Sequence, residues 1–67
     1  MTRHAAQRAL KYNLTAEEIE KIIREGKRKA EGKTKTRYTL QSKNDIYVAI
    51  CEEHADQTIV LTITKGG

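Results

Sequence analysis

Sixty-seven residues with one cysteine, no proline, tryptophan or phenylalanine and a net charge of +4 describe a single small domain, since a chain this short cannot build two hydrophobic cores. The lone Cys51 excludes an internal disulfide framework and a cysteine-rich zinc site, which points to reducing, cytoplasmic surroundings. No apolar run approaches the length of a membrane span, and Met1 to Tyr12 has no stretch resembling a signal peptide.

Thr2 is placed to cap a first helix over Arg3 to Lys11. Ala5, Ala9 and Tyr12 fall on one face of it, with Ala6 and Leu10 as a second apolar pair beside them. The second helix has stronger punctuation. Thr15-Ala16-Glu17-Glu18 reads as a capping box, and Leu14 and Ile19 take the positions of a hydrophobic staple. Glu17, Glu18 and Glu20 fill its first turn, while Lys21 and Arg24 lie nearer its end, as the helix dipole favours. Ile19, Ile22 and Ile23 form the stripe to be buried, and Gly26 is the expected left-handed stop.

From Lys27 to Lys35 the chain is polar, basic and broken by Gly32, and reads as a loop or a frayed edge strand. Three strand-like runs follow, Thr36–Gln41, Ile46–Glu52 and Thr58–Thr64. The turn residues between them make an antiparallel meander the natural connection. Alternation assigns Tyr38, Leu40, Ile46, Val48, Ile50, Ile59, Leu61 and Ile63 to an oily face for the helices to cover. The other face then carries Arg37, Thr39, Gln41, Tyr47, Ala49, Cys51, Val60, Thr62 and Thr64, as a binding surface or as the solvated side of a one-layer sheet. The expected fold is α+β: two N-terminal helices packed on one face of a three-stranded antiparallel β-meander, one domain over residues 1–67 with a flexible tail at 65–67.

Charge is unevenly spread. Residues 21–37 hold eight Lys or Arg against Glu25 and Glu31, a local net of +6, whereas residues 1–20 balance and residues 38–67 carry −2. Phosphate is the commonest partner of such a cluster. Lys27, Arg28, Lys29, Lys33, Lys35 and Arg37 are therefore the candidate nucleic-acid-binding residues, against the plainer alternative of a solvated basic loop. So lean a core also favours association, as a homodimer or with a protein partner.

His4 and Arg8 stand four apart on the first helix and project from one side of it. A histidine exchanges protons near neutral pH, and a neighbouring guanidinium can neutralise a phosphate gaining charge. The same spacing is ordinary on any exposed helix. His54 falls in a turn, Cys51 reads as a small strand residue, and Gly66-Gly67 as part of the tail. No metal-ligand spacing and no glycine-rich phosphate loop is present, so neither a metal nor a cofactor is expected.

The order Thr2-Arg3-His4-Ala5, Arg8, the link Tyr12-Asn13-Leu14-Thr15, the helix Glu17 to Ile23 ending at Gly26, Arg37-Tyr38, Ile46 to Ile50 and Ile59 to Thr64 resembles a family of small prokaryotic domains of unknown function. This DUF4258-like family is grouped with the RelE/ParE-like toxin superfamily. The resemblance implies a RelE-like helix-helix-sheet fold and a toxin-like, metal-independent endoribonuclease role on RNA, with a protein antitoxin as a partner. It implies His4 as general acid or base, Arg8 as transition-state stabiliser and Thr62 or Thr64 as the group orienting the phosphate. The alternatives are a noncatalytic nucleic-acid-binding module using the 21–37 cluster and a protein-interaction domain.

Overall fold

Both helices begin where the capping chemistry places them in the computed structural model, which describes residues 1–66. Helix α1 spans Arg3–Lys11, and the Thr2 hydroxyl accepts from the Ala5 amide at 3.2 Å. Helix α2 spans Ala16–Glu25. The Thr15 hydroxyl accepts from the Glu18 amide at 3.2 Å and the Glu18 carboxylate from the Thr15 amide at 3.1 Å, completing the capping box. Asn13, with φ of 55°, supplies the left-handed residue that turns the chain between the helices.

Gly26 closes α2 in a different way from the left-handed stop expected of it. Its φ of −70° and ψ of 160° are extended. Glycine is needed there for space: a Cβ would run into the Ile22 carbonyl oxygen and come within 3.0 Å of the Thr39 carbonyl oxygen. The chain passes straight from helix into strand.

Four strands follow: β1 Lys27–Ala30, β2 Lys35–Gln41, β3 Ile46–Glu53 and β4 Thr58–Gly66. They pair antiparallel in the order β1-β2-β3-β4. The α+β class stands, but the three-stranded meander is corrected to a four-stranded one. The added strand is the basic segment, and all four of its side chains are exposed, so no burial periodicity marks it in the sequence. Backbone pairing from Lys27↔Thr39 to Ala30↔Thr36 holds it, and the Glu31 amide closes the turn on the Lys35 carbonyl at 2.9 Å. At the other end, Lys65 and Gly66 belong to β4 and not to a tail; Gly67 lies outside the described residues.

The face beneath the helices mixes small and large residues. Ala5 and Ala9 of α1, Ile19 and Ile22 of α2, and Tyr38, Ala49, Cys51, Val60 and Ile63 of the sheet form one buried cluster, with Leu14, Ile23, Leu40 and Tyr47 at its margin. In β3 the inward set is thus Tyr47, Ala49 and Cys51. Ile46, Val48 and Ile50, expected in the oily face, lie on the opposite side. In β4 a register shift pairs Ile50 with Thr62 but Cys51 with Val60. This bulge skips Leu61 and brings Val60 and Ile63, three residues apart, to the same inner face. The expected division of faces therefore holds for β2 and for Thr62, Ile63 and Thr64 of β4, and fails for β3, for Val60 and for Ile59, which the bulge leaves beside Glu52 on the open face. At the bulge α1 is fastened to the sheet: the Thr2 amide donates to the Val60 carbonyl at 3.0 Å, and the Thr2 hydroxyl to the Leu61 carbonyl at 2.9 Å.

Candidate functional site

The candidate residues fall into two groups on two sides of the sheet. On α1, His4 and Arg8 are one turn apart, and Tyr12 caps the helix a turn further on. Arg8 Nη1 donates to the Tyr12 hydroxyl at 3.3 Å, which steadies the guanidinium, and His4 is exposed. Ala5 and Ala9, on the adjacent flank about 100° round the helix, turn into the core. Thr62 and Thr64 are not brought to this row. They pair with Ile50 and Val48, on the face away from the helices.

That open face carries the basic residues. Register puts Lys27 beside Thr39 and Lys29 beside Arg37 on β1 and β2, and Arg37 beside Ile50 and Lys35 beside Glu52 on β2 and β3. Cross-strand partners share a face, so Lys27, Lys29, Lys35 and Arg37 form a cationic half, and Ile46, Val48, Ile50 and Ile59, with Glu52, Thr62 and Thr64 among them, a largely uncharged half. Lys33 lies in the turn between β1 and β2. Arg37 is paired with Glu31 at 2.6 Å. Among the described residues, Lys27, Lys29, Lys33 and Lys35 enter no ion pair. Successive open-face positions along one strand are about 7 Å apart, so the lysines make a row of charges suited to a chain of phosphates.

Arg28 is separated from this row by strand parity. It shares the inner face with Tyr38 and binds Glu53 at 2.6 Å, while the Tyr38 hydroxyl donates to the other Glu53 oxygen. The Tyr38 and Arg28 hydrogen bonds hold the Glu53 carboxyl below its usual range. Burial, then the Glu53 bond, raises Tyr38, and the Glu53 bond raises Arg28. This trio ties β1, β2 and β3 together at one end of the sheet. Its members carry no recognisable spacing in the sequence; only the strand register brings them together. Cys51, fully buried nearby, is pushed up to about 11 by burial and then by Glu53, so its thiol stays protonated and unreactive at neutral pH. His54 sits in its expected turn with a ring nitrogen 2.8 Å from Glu52.

A family model described as a domain of unknown function, DUF4258, matches residues 1–65. The chain belongs to the DUF4258 family. No curated protein and no solved structure matches it. In this DUF4258 domain no three His, Cys, Asp or Glu side chains gather to hold a metal among the described residues, and no helix is long and apolar enough to cross a membrane. The chemistry available is that of cations, a helix row of histidine, arginine and tyrosine, and hydrogen-bonding side chains around a groove at the α2–β1 junction.

Proposed function

We propose that the domain binds single-stranded RNA by its phosphates, through Lys27, Lys29 and Lys35 of the open face and Lys33 of the turn between β1 and β2. One observation carries this reading: among the described residues, Lys27, Lys29, Lys33 and Lys35 have no ion-pair partner while Arg28 and Arg37 are neutralised within the fold. The likeness to the RelE/ParE-like toxins favours RNA over DNA as the target. No aromatic ring lies on this face, since Tyr38 is buried and Tyr47 is on the helix side, so stacking contributes little and charge dominates. Binding to RNA homopolymers by fluorescence anisotropy tests the reading. With four phosphates neutralised, log K should fall with log salt at a slope of about −3. Affinity that is indifferent to salt would refute it.

A second reading, strand cleavage, rests on the His4–Arg8–Tyr12 row. Here His4 moves the proton and Arg8, held by Tyr12, meets the charge developing on phosphorus. It needs no metal and does not use Thr62 or Thr64. The check is RNA incubation in EDTA: His4→Ala should lower the cleavage rate by about 100-fold or more with the salt slope of binding unchanged. Intact RNA with the wild-type protein would eliminate this reading and leave the first in place.

A further inference from the structure

Where α2 passes into β1, a groove of about 320 Å³ opens at the ends of the strands, lined by Glu25, Lys27, Thr39, Leu40, Gln41 and Ile46. We infer that this groove receives one base of the bound strand and that the base is guanine; the inference rests on the phosphate-binding reading above.

Three features lead there. The first is continuity with the lysine row. Lys27 is both a wall of the groove and the first cation on β1, so a strand with phosphates on Lys27 and Lys29 has a nucleoside at the groove mouth. The second is size and lining. The volume lies at the small end of the ~300–1,000 Å³ range of ligand sites, fit for a base and little more. Leu40 is half-buried and Ile46 is 41% exposed, and together they offer apolar surface to the face of a base. An isoleucine on this scale of exposure gains from being covered.

The third feature is the polar rim. Among the described residues the one ion pair of the Glu25 carboxylate is with its neighbour Arg24 at 3.4 Å, and both side chains are open to solvent. Such a pair holds its oxygens weakly. A carboxylate accepts two parallel hydrogen bonds. Guanine alone among the four bases presents two adjacent donors, N1–H and the N2 amino group, on its Watson–Crick edge. Adenine and cytosine set one amino group beside an acceptor nitrogen, and uracil sets one N–H between two carbonyls, so each turns a lone pair toward the carboxylate. The Gln41 amide and the Thr39 hydroxyl, also on the rim, can donate to guanine O6 or N7. Single-stranded RNA is the form in which that edge is free to be read.

Fluorescence anisotropy on short labelled oligo-U strands tests this, using strands with one central G, A or C and the plain strand as reference. The wild-type domain should bind the G-containing strand about tenfold more tightly than the others. Glu25→Gln should reduce that preference to about twofold or less, with the salt slope unchanged. Glu25 is exposed, so the substitution leaves the core intact, and circular dichroism verifies the fold. Equal affinity for all four strands, with a steep salt slope, overturns the guanine groove and spares the phosphate reading. A guanine preference that survives Glu25→Gln also overturns the groove. No binding at low salt removes both.

Discussion

Along β3, Tyr47, Ala49 and Cys51 face the helices, while Ile46, Val48 and Ile50 face outward beside the lysines of β1 and β2. The β-branched side chains are thus on the outside, while alanine and cysteine, with Tyr47 at the margin, are on the inside. The reason lies in the helices. Ala5 and Ala9 let α1 lie close to β4, and Ile19 and Ile22 of α2 fill the space over β2 and β3. Beneath them the middle of β3 holds alanine and cysteine, flanked by Tyr38 of β2 and by Val60 and Ile63 of β4. Space governs the inner face, whereas neither helix packs on the outer one. Substitutions on the two faces should therefore fail in different ways, the inner ones by unfolding and the outer ones by altered binding.

The largest effect is expected from Ile22→Ala. Ile22 is 1% exposed, and its truncation should cost about 2–5 kcal/mol, nearly all the stability a domain of this size commands. Circular dichroism in urea should show little cooperative folding; a wild-type midpoint would contradict the packing described. A sharper contrast comes from neighbours on β3. Ala49→Leu should destabilise by about 1–3 kcal/mol through overpacking, and Val48→Leu by about 0.5 kcal/mol or less. Equal urea midpoints for the two variants would dissolve the distinction between the faces.

The Arg28–Glu53–Tyr38 trio predicts a pH dependence. The folded state holds Glu53 below its unfolded value of about 4.3, so its contribution is full above that value and is lost as pH falls through the depressed folded one. Between about pH 6 and pH 3 the urea midpoint of the wild-type protein should fall more steeply than that of Glu53→Gln; parallel curves would remove the trio from the account. The smallest effect compares adjacent residues of β1. Lys29→Ala should make the salt slope of RNA binding shallower by about 0.7 and leave the urea midpoint in place. Arg28→Ala should lower the midpoint, because Glu53 loses its partner, and leave the slope in place.

Legibility in the sequence tracks how each feature is held. Helix starts depend on local chemistry, so Thr2, Thr15 and Glu18 reveal them within a few residues. Strands β2 to β4 announce themselves by β-branched composition. The phase of β3 does not, since Ile46 to Cys51 is apolar at every position and alternation has nothing to alternate with. Ranking by hydrophobicity chooses the isoleucines for the core, but the closeness of the helices selects Ala49 and Cys51. Strand β1 is hidden because its stabilisation comes from the backbone of β2 and the Arg28–Glu53 pair. At the candidate site, local charge counting finds the lysines, and helical spacing finds His4 and Arg8. It cannot find Glu25 and Gln41, which only the turn from α2 into β1 and the pairing of Gln41 with Ile46 bring to one groove. Nor can it show that Thr62 and Thr64 lie across the sheet from α1.

Thr2 reaches across 59 positions of sequence to hold Leu61. Of the six elements α1 precedes all the others in the chain and the strand it docks on follows all the others, so during synthesis this helix has the longest wait for its partner. Closing so large a loop is slow work for a chain whose other contacts are mostly between neighbouring elements. While it waits, α1 shows water two alanines, Ala5 and Ala9, and no large apolar stripe, which keeps a nascent chain from sticking to its neighbours. The small residues that let the finished helix sit close also make it a safe thing to leave undocked.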